Sequence, residues 1–227
     1  RRDDARDVLI APLLQEHQTE SGRELFALPE GAQIGTSSLR RRADLLRARP
    51  DFRIQDIRGN VPTRIGRVEK GDLDAIVLSL AGLTRLGLDP PGAAPLPMDL
   101  MLPAPAQGTI AIQVREDDIA TAECVVALDD HNTRMATDTG RLVLHRLEGG
   151  WRIPLGVHAR VRDDRILLQG RLTRPDGKQA VDRHEQGAVA DWQEVAGRVA
   201  DALLAEGGEE ILQIDRALYL TFDNACR

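Results

Sequence analysis

Six arginines stand where short apolar segments of this chain give way to turns: Arg40, Arg41, Arg42, Arg58, Arg64 and Arg85. A guanidinium presents a planar fork of donors that matches a carboxylate or phosphate through two parallel hydrogen bonds. Taken singly, each reads as a solvated surface charge. As a set placed at segment ends, they read as a receptor for an anion with several acidic groups. The Thr36-Ser37-Ser38 and Gly59-Asn60 turns beside them add hydroxyls and backbone amides at helix starts, where anions are favoured. Other chemistry has less support. His17, His131, His145, His158 and His184 share no ligand spacing, so no metal site is expected. Asp74 opens an apolar segment and reads as a turn residue. No glycine-rich phosphate loop of the usual spacing occurs.

The elements that must position these arginines follow from punctuation and period. Asp7–Leu14 reads as a buried strand running into a turn at Pro12, and residues 15–32 as polar loop. Gln33–Gly35 is a short strand. Thr36, Ser37 and Ser38 can then cap a helix on which Leu39, Ala43 and Leu46 recur, closed by Pro50. Phe52, Ile54 and Ile57 form a strand, Asn60 caps a helix with Pro62 in its first turn, and Gly71 ends it. Asp74–Leu80 is a continuous apolar strand of the kind buried inside a parallel sheet, followed by a short helix over Leu83–Leu86. This alternation predicts a parallel, doubly wound α/β sheet with its ligand site at the carboxyl ends of the strands.

Further along, residues 89–106 are proline-rich and read as a linker. Thr109–Val114 reads as a strand, and Asp117 as the cap of a helix to Leu128. Asn132–Leu147 is a helix broken at Gly149-Gly150. Val157–Val161, Ile166–Leu172 and Gln179–His184 alternate as antiparallel strands, with a turn at Pro175-Asp176-Gly177, before an amphipathic helix over Trp192–Ala205. A small α+β unit therefore begins near residue 129.

The totals set limits on this reading. The chain has 227 residues, 42% hydrophobic and 29% charged, which suits a folded globular protein. Only Lys70 and Lys178 are lysines among 30 basic residues, a bias that a GC-rich genome produces by itself. A net charge of −6 argues against general nucleic-acid binding, including through the SLRRR helix. No apolar run is long enough to span a bilayer. Cys124 and Cys226 match no metal spacing and suggest a reducing compartment without a disulfide framework. The start at Arg1-Arg2-Asp3-Asp4, with no methionine, leads us to expect a piece of something longer.

Four segments together carry a resemblance to a known family: GTSSLRRRADLLRARPD, IRGNVPTRIGRVEKGDLDAIVLSLAGLTRLGL, LPAPAQGTIAIQVRED and RLEGGWRIPLG. In this order they resemble porphobilinogen deaminase, also called hydroxymethylbilane synthase, and RRDDARDV resembles the family's crossing from its first domain into its second. The resemblance implies a cytoplasmic transferase of tetrapyrrole (haem, chlorophyll, cobalamin) biosynthesis. Such an enzyme joins four porphobilinogen units head to tail and releases ammonia on a dipyrromethane cofactor held by a cysteine thioether. The implied fold is a periplasmic-binding-protein-like doubly wound domain followed by a small α+β domain. It divides the chain into a crossover from a missing first domain (1–11), the doubly wound second domain (12–102), a hinge with a remnant of the first domain (103–128) and the third domain (129–227).

By motif position the resemblance implies carboxylate contacts at Ser37, Ser38, Arg40, Arg41, Arg58, Gly59, Thr63, Arg64, Arg85 and Gln107. It implies porphobilinogen and linear polypyrroles as ligands, a monomer, and a separate chain as one source of the first domain. This sequence departs from the family twice. The cofactor cysteine position is Trp151, which has no thiol. The stretch carrying the family's catalytic aspartate has no counterpart, so no catalytic residue is expected in this chain. The alternative is a non-catalytic relative that binds carboxylate-rich pyrroles without a covalent cofactor.

Overall fold

A computed structural model describes residues 1–16, 23–147 and 153–213. The first unit is built from β1 (Asp7–Ile10), α1 (Leu13–Glu16), α2 (Glu24–Ala27), β2 (Gln33–Gly35), α3 (Leu39–Ala48), β3 (Arg53–Gln55), α4 (Val61–Glu69), β4 (Ala75–Ser79), α5 (Leu80–Leu86) and β5 (Ala93–Pro95). Its five strands lie in the order β3-β2-β4-β1-β5. The second comprises α7 (His131–Arg146), β6 (Leu155–Arg162), β7 (Arg165–Thr173), β8 (Ala180–Ala188) and α8 (Trp192–Leu203). Between them runs α6 (Ile119–Val126).

The apolar runs of β1 and β4 have both faces covered, which is why neither alternates with polar residues. On one face Leu9, Ile34, Ala75 and Val77 pack with Leu45 of α3, Phe52, Leu96 and Met101. On the other, Val8, Ile10, Ile76 and Leu78 pack with Ile65 and Val68 of α4 and Leu83 of α5. The helices begin where the side chains dictate. Ser38 caps α3 by accepting from the Arg41 amide, and Asn60 caps α4 by accepting from the Thr63 amide at 3.0 Å, with Pro62 in its first turn. Gly87, in the left-handed conformation, ends α5.

The architecture is mixed α/β, and it differs from the all-parallel expectation at β1. That strand pairs antiparallel with β4 (Asp7 opposite Ser79) and with β5 (Val8 opposite Pro95), whereas β2 is parallel to β3 and β4. A four-residue apolar run carries no mark of its direction, so sequence pattern alone could not supply this. Residues 89–106 are likewise no linker. Ala93–Pro95 is the sheet's edge strand, and Leu96, Met101 and Leu102 are fully buried. Their prolines suit an edge strand and tight turns, where a missing amide donor does no harm. Residues 15–32, read as loop, hold the end of one short helix and the whole of another, with Leu25 and Leu28 in the core. Thr109–Val114 is not a strand, since it pairs with none among the described residues, and the cap of α6 is Asp118 rather than Asp117, accepting from the Thr121 amide at 3.0 Å.

The second unit follows its pattern closely. β6, β7 and β8 form an antiparallel sheet, and Val143 of α7 with Val195, Val199 and Leu203 of α8 covers one face of it. The two units are joined by a close seam. Val157 donates to the Pro103 carbonyl at 2.8 Å, and the Thr173 hydroxyl donates to buried Asp44 at 2.9 Å. A Cβ on Gly156 would come within 2.6 Å of Leu102 Cβ and 3.0 Å of its carbonyl, so only glycine permits this approach.

Candidate functional site

Because β1 runs opposite to β2, β3 and β4, its first residue lies at the same sheet edge as their last. Asp7 therefore stands opposite Ser79, at the carboxyl edge onto which the Thr36–Ser38 and Asp56–Asn60 turns also open. The Ser37 hydroxyl clasps these two turns together. It donates to the Ile57 carbonyl at 2.7 Å and accepts from the Ile57 amide at 2.9 Å. The second turn needs Gly59, whose φ of +104° is unfavourable for residues with a Cβ. Its carbonyl accepts from Arg64 Nε at 2.8 Å, folding that side chain over the turn. Thr63 belongs to the α4 cap, its hydroxyl donating to Asn60 Oδ1 at 2.7 Å.

The arginines at this edge divide into two kinds. Arg40 is only 5% exposed and bonds inward, donating from Nη1 to Asp7 Oδ2 at 2.6 Å and to the Leu102 carbonyl at 2.5 Å. Arg41 is 12% exposed. Its Nε and Nη2 lie 3.1 and 2.9 Å from Asp7 Oδ1, and its Nη1 donates to the Val77 carbonyl at 3.0 Å. Arg85 is half-exposed, with Nη2 bonded to the Gly108 carbonyl at 2.9 Å and paired with Asp3 at 2.7 Å. By contrast, Arg42 and Arg58 are exposed, and their side chains have no hydrogen-bond or ion-pair partner among the described residues. Arg64 keeps both terminal nitrogens free of described partners and lies near enough to Arg41 for their charges to repel.

Asp7 is fully buried yet ionised. Burial pushes its carboxyl up, but Arg40 and Arg41, with a 3.0 Å hydrogen bond from Gln107 Nε2, more than offset that and hold it below the ordinary carboxylate range. Burial in turn lowers the Arg41 guanidinium from its usual value, with Asp7 opposing. Gln107 also donates to the Ala5 carbonyl at 2.7 Å and accepts at its own carbonyl from Arg2, whose Nη1 reaches the Ala159 carbonyl of β6. A polar chain thus runs from Arg41 to the second unit.

Sequence reasoning placed Ser37, Ser38, Arg40, Arg41, Arg58, Gly59, Thr63 and Arg64 on adjoining turns, and the structure has them there. Arg85 and Gln107 meet instead around the 103–108 segment. Asp3 and Asp7, which the reading omitted, supply the internal counter-charges. The signal for Asp7 was available, since an acid opening an otherwise apolar, buried strand requires a cation beside it. Trp151, His17 and Cys226 lie outside the described residues. Cys124 is exposed on α6. Among the described residues no group of three or more His, Cys, Asp or Glu is placed to hold a metal, and no helix is long and apolar enough to cross a membrane.

The carboxyl edge of this mixed α/β sheet thus carries arginine side chains without described partners over turns clasped by Ser37. Comparison with known proteins gives the family. Residues 1–123 match the family domain described as porphobilinogen deaminase, dipyromethane cofactor binding domain, and residues 138–205 match the porphobilinogen deaminase C-terminal domain. The porphobilinogen deaminase of Desulforamulus reducens is 38% identical over 96% of this chain and 68% of its own length. That of Carboxydothermus hydrogenoformans is 39% identical over 91% of this chain and 64% of its own length. That of Pelotomaculum thermopropionicum is 40% identical over 94% and 66% respectively. The chain belongs to the porphobilinogen deaminase family, and it spans about two thirds of the length of these curated relatives.

Proposed function

We propose that this chain forms the carboxylate-binding half of a hydroxymethylbilane synthase, a cytoplasmic transferase of tetrapyrrole biosynthesis that condenses porphobilinogen units head to tail with release of ammonia. The observation that carries this is the exposed Arg58 side chain and the unpartnered terminal nitrogens of Arg64, close to Arg41, over turns clasped by Ser37. Each porphobilinogen bears two carboxylates, so a growing polypyrrole accumulates negative charge, which clustered guanidinium groups match. We read the two-faced sheet as the doubly wound, binding-protein-like second domain, with residues 1–11 as the crossing strand, 103–128 as hinge and 129–227 as the third domain.

The family's dipyrromethane cofactor fits these residues in one respect and not in another. Its acidic side chains suit Arg58 and Arg64. The residue at its attachment position, Trp151, offers no thiol, so no step is routed through that bond. The chain's own contribution is to bind and orient carboxylates, with Ser38, Gly59 and Thr63 shaping the turns. The remaining family unit is expected against the 103–128 segment, whether joined to this chain or separate. In support of this, Ile110, Ile112, Ile119, Val126 and Leu128 are more than half exposed, and α6 buries none of its residues. Calorimetric titration with porphobilinogen, followed by intact-mass spectrometry, tests the reading. Reversible binding that Arg58→Ala weakens is expected, and absence of binding would sink it. A covalent gain of two pyrrole units would show that another residue stands in for the cysteine.

A further inference from the structure

Asp7 has no part in the reading above, yet it is the most enclosed ionised group at the carboxyl edge of the sheet. Its side chain has 0% exposure, and both oxygens are engaged: Oδ2 by Arg40, and Oδ1 by Arg41 and Gln107. The contact with Arg41 is two-pronged, through Nε and Nη2, while the Val77 carbonyl takes a hydrogen of Nη1. A guanidinium carries five N–H donors in one rigid plane. Two of them, on Nε and Nη1, are fixed by internal hydrogen bonds, and Nη2 is held by its ion pair with Asp7. That leaves at least one hydrogen on each terminal nitrogen, the number a fork contact with an anion uses.

Two arginines against one carboxylate also leave a positive charge at the site, so Asp7 does not cancel the receptor. Its placement depends on the reversed direction of β1, which puts the first residue of a buried strand at this edge. We propose that Asp7 is a positioning residue for the anion receptor, holding the Arg41 guanidinium in one orientation with its remaining donors available to a ligand carboxylate. This rests on reading the edge as a carboxylate receptor.

The alternative role for Asp7, a plain counter-charge, has the opposite sign. Removing a negative charge beside a cationic site strengthens anion binding through space, whereas loosening Arg41 weakens it. The test titrates the wild-type chain and Asp7→Asn with inorganic phosphate and, separately, with porphobilinogen, at a temperature where circular dichroism shows both folded. Exchange of the Arg41 Nε proton with water is followed in the wild type by nitrogen-resolved NMR. We expect Asp7→Asn to bind both probes roughly tenfold more weakly, the scale of one charge-assisted hydrogen bond, and the wild-type Arg41 proton to exchange slowly. Equal or tighter binding by Asp7→Asn would overturn the proposal, as would free-side-chain exchange at Arg41 or a wild type that binds no phosphate. Wild-type binding of phosphate but not porphobilinogen would remove the pyrrole reading alone, and Asp7 would be judged on phosphate. Should Asp7→Asn not fold, the wild-type exchange measurement decides.

Discussion

Arg40 and Arg58 look equivalent in sequence, each an arginine at the start of a helix after a short strand, but they should respond to truncation in opposite ways. Arg40→Ala removes one of the two cations facing a carboxylate with no solvent access, together with the donor to the Leu102 carbonyl. Breaking a buried ion pair from one side typically costs ~3–5 kcal/mol, and an orphaned buried acceptor adds ~1 kcal/mol or more. Asp7 keeps Arg41 and Gln107, which moves the sum toward the lower end. A loss of ~3–4 kcal/mol is expected, a large share of a total stability that rarely exceeds ~15 kcal/mol. Arg58→Ala removes an exposed side chain without described partners and should change stability by less than ~0.5 kcal/mol. It should instead weaken binding of a pyrrole carboxylate by ~1.5–3 kcal/mol, as loss of a charged hydrogen bond does. Urea denaturation at pH 7 and calorimetric titration of both variants measure the two effects. If Arg40→Ala is as stable as the wild type, or if the two variants lose affinity equally with no difference in stability, the division of the arginines is wrong.

Gly156→Ala should destabilise the chain by ~1–3 kcal/mol, because the new methyl meets the Leu102 backbone at the seam between units; a thermal unfolding curve identical to wild type would contradict this. The pH dependence is set partly by His158, whose pKa burial lowers from 6.5 to about 4, with Arg2 and Arg160 adding to the fall and Asp4 opposing it. The unfolded chain then holds a proton that the folded chain does not, so stability falls as pH drops from about 6.5 toward 4. After discounting for partial exposure, His158→Leu should flatten this acid limb by about 2 kcal/mol, read from denaturation midpoints across that range.

How much of this was legible beforehand depends on whether local chemistry or distant pairing decided the matter. Caps and stops were readable because they act within a few residues: Ser38, Asn60, Pro50 and Gly71 each did what their side chains or conformational range favour. The antiparallel hairpins of the second unit were readable from alternation and from Pro175-Asp176-Gly177. The direction of β1 and the burial of Leu96, Met101 and Leu102 were not, because both depend on partners many residues away. Thr109–Val114 has the period of a strand, yet no strand of the described residues lies beside it to complete a ladder. At the site, residue types located the turns, while which guanidinium groups face outward depended on Asp3 and Asp7, whose positions only the fold supplies.

The position of β1 also bears on how the chain reaches this state. It comes first in sequence but lies between β4 and β5, so its neighbours are synthesised after many intervening residues. β2, α3, β3, α4 and β4 can associate through short connections, whereas inserting β1 requires closing a loop that spans nearly the whole unit, and contacts of that separation slow folding. Until it enters, Asp7 and the two arginines it joins are apart, and the edge of β4 is open to any other strand. The step that adds β1, and with it the place for β5, is thus also the step that joins Asp7 to Arg40 and Arg41.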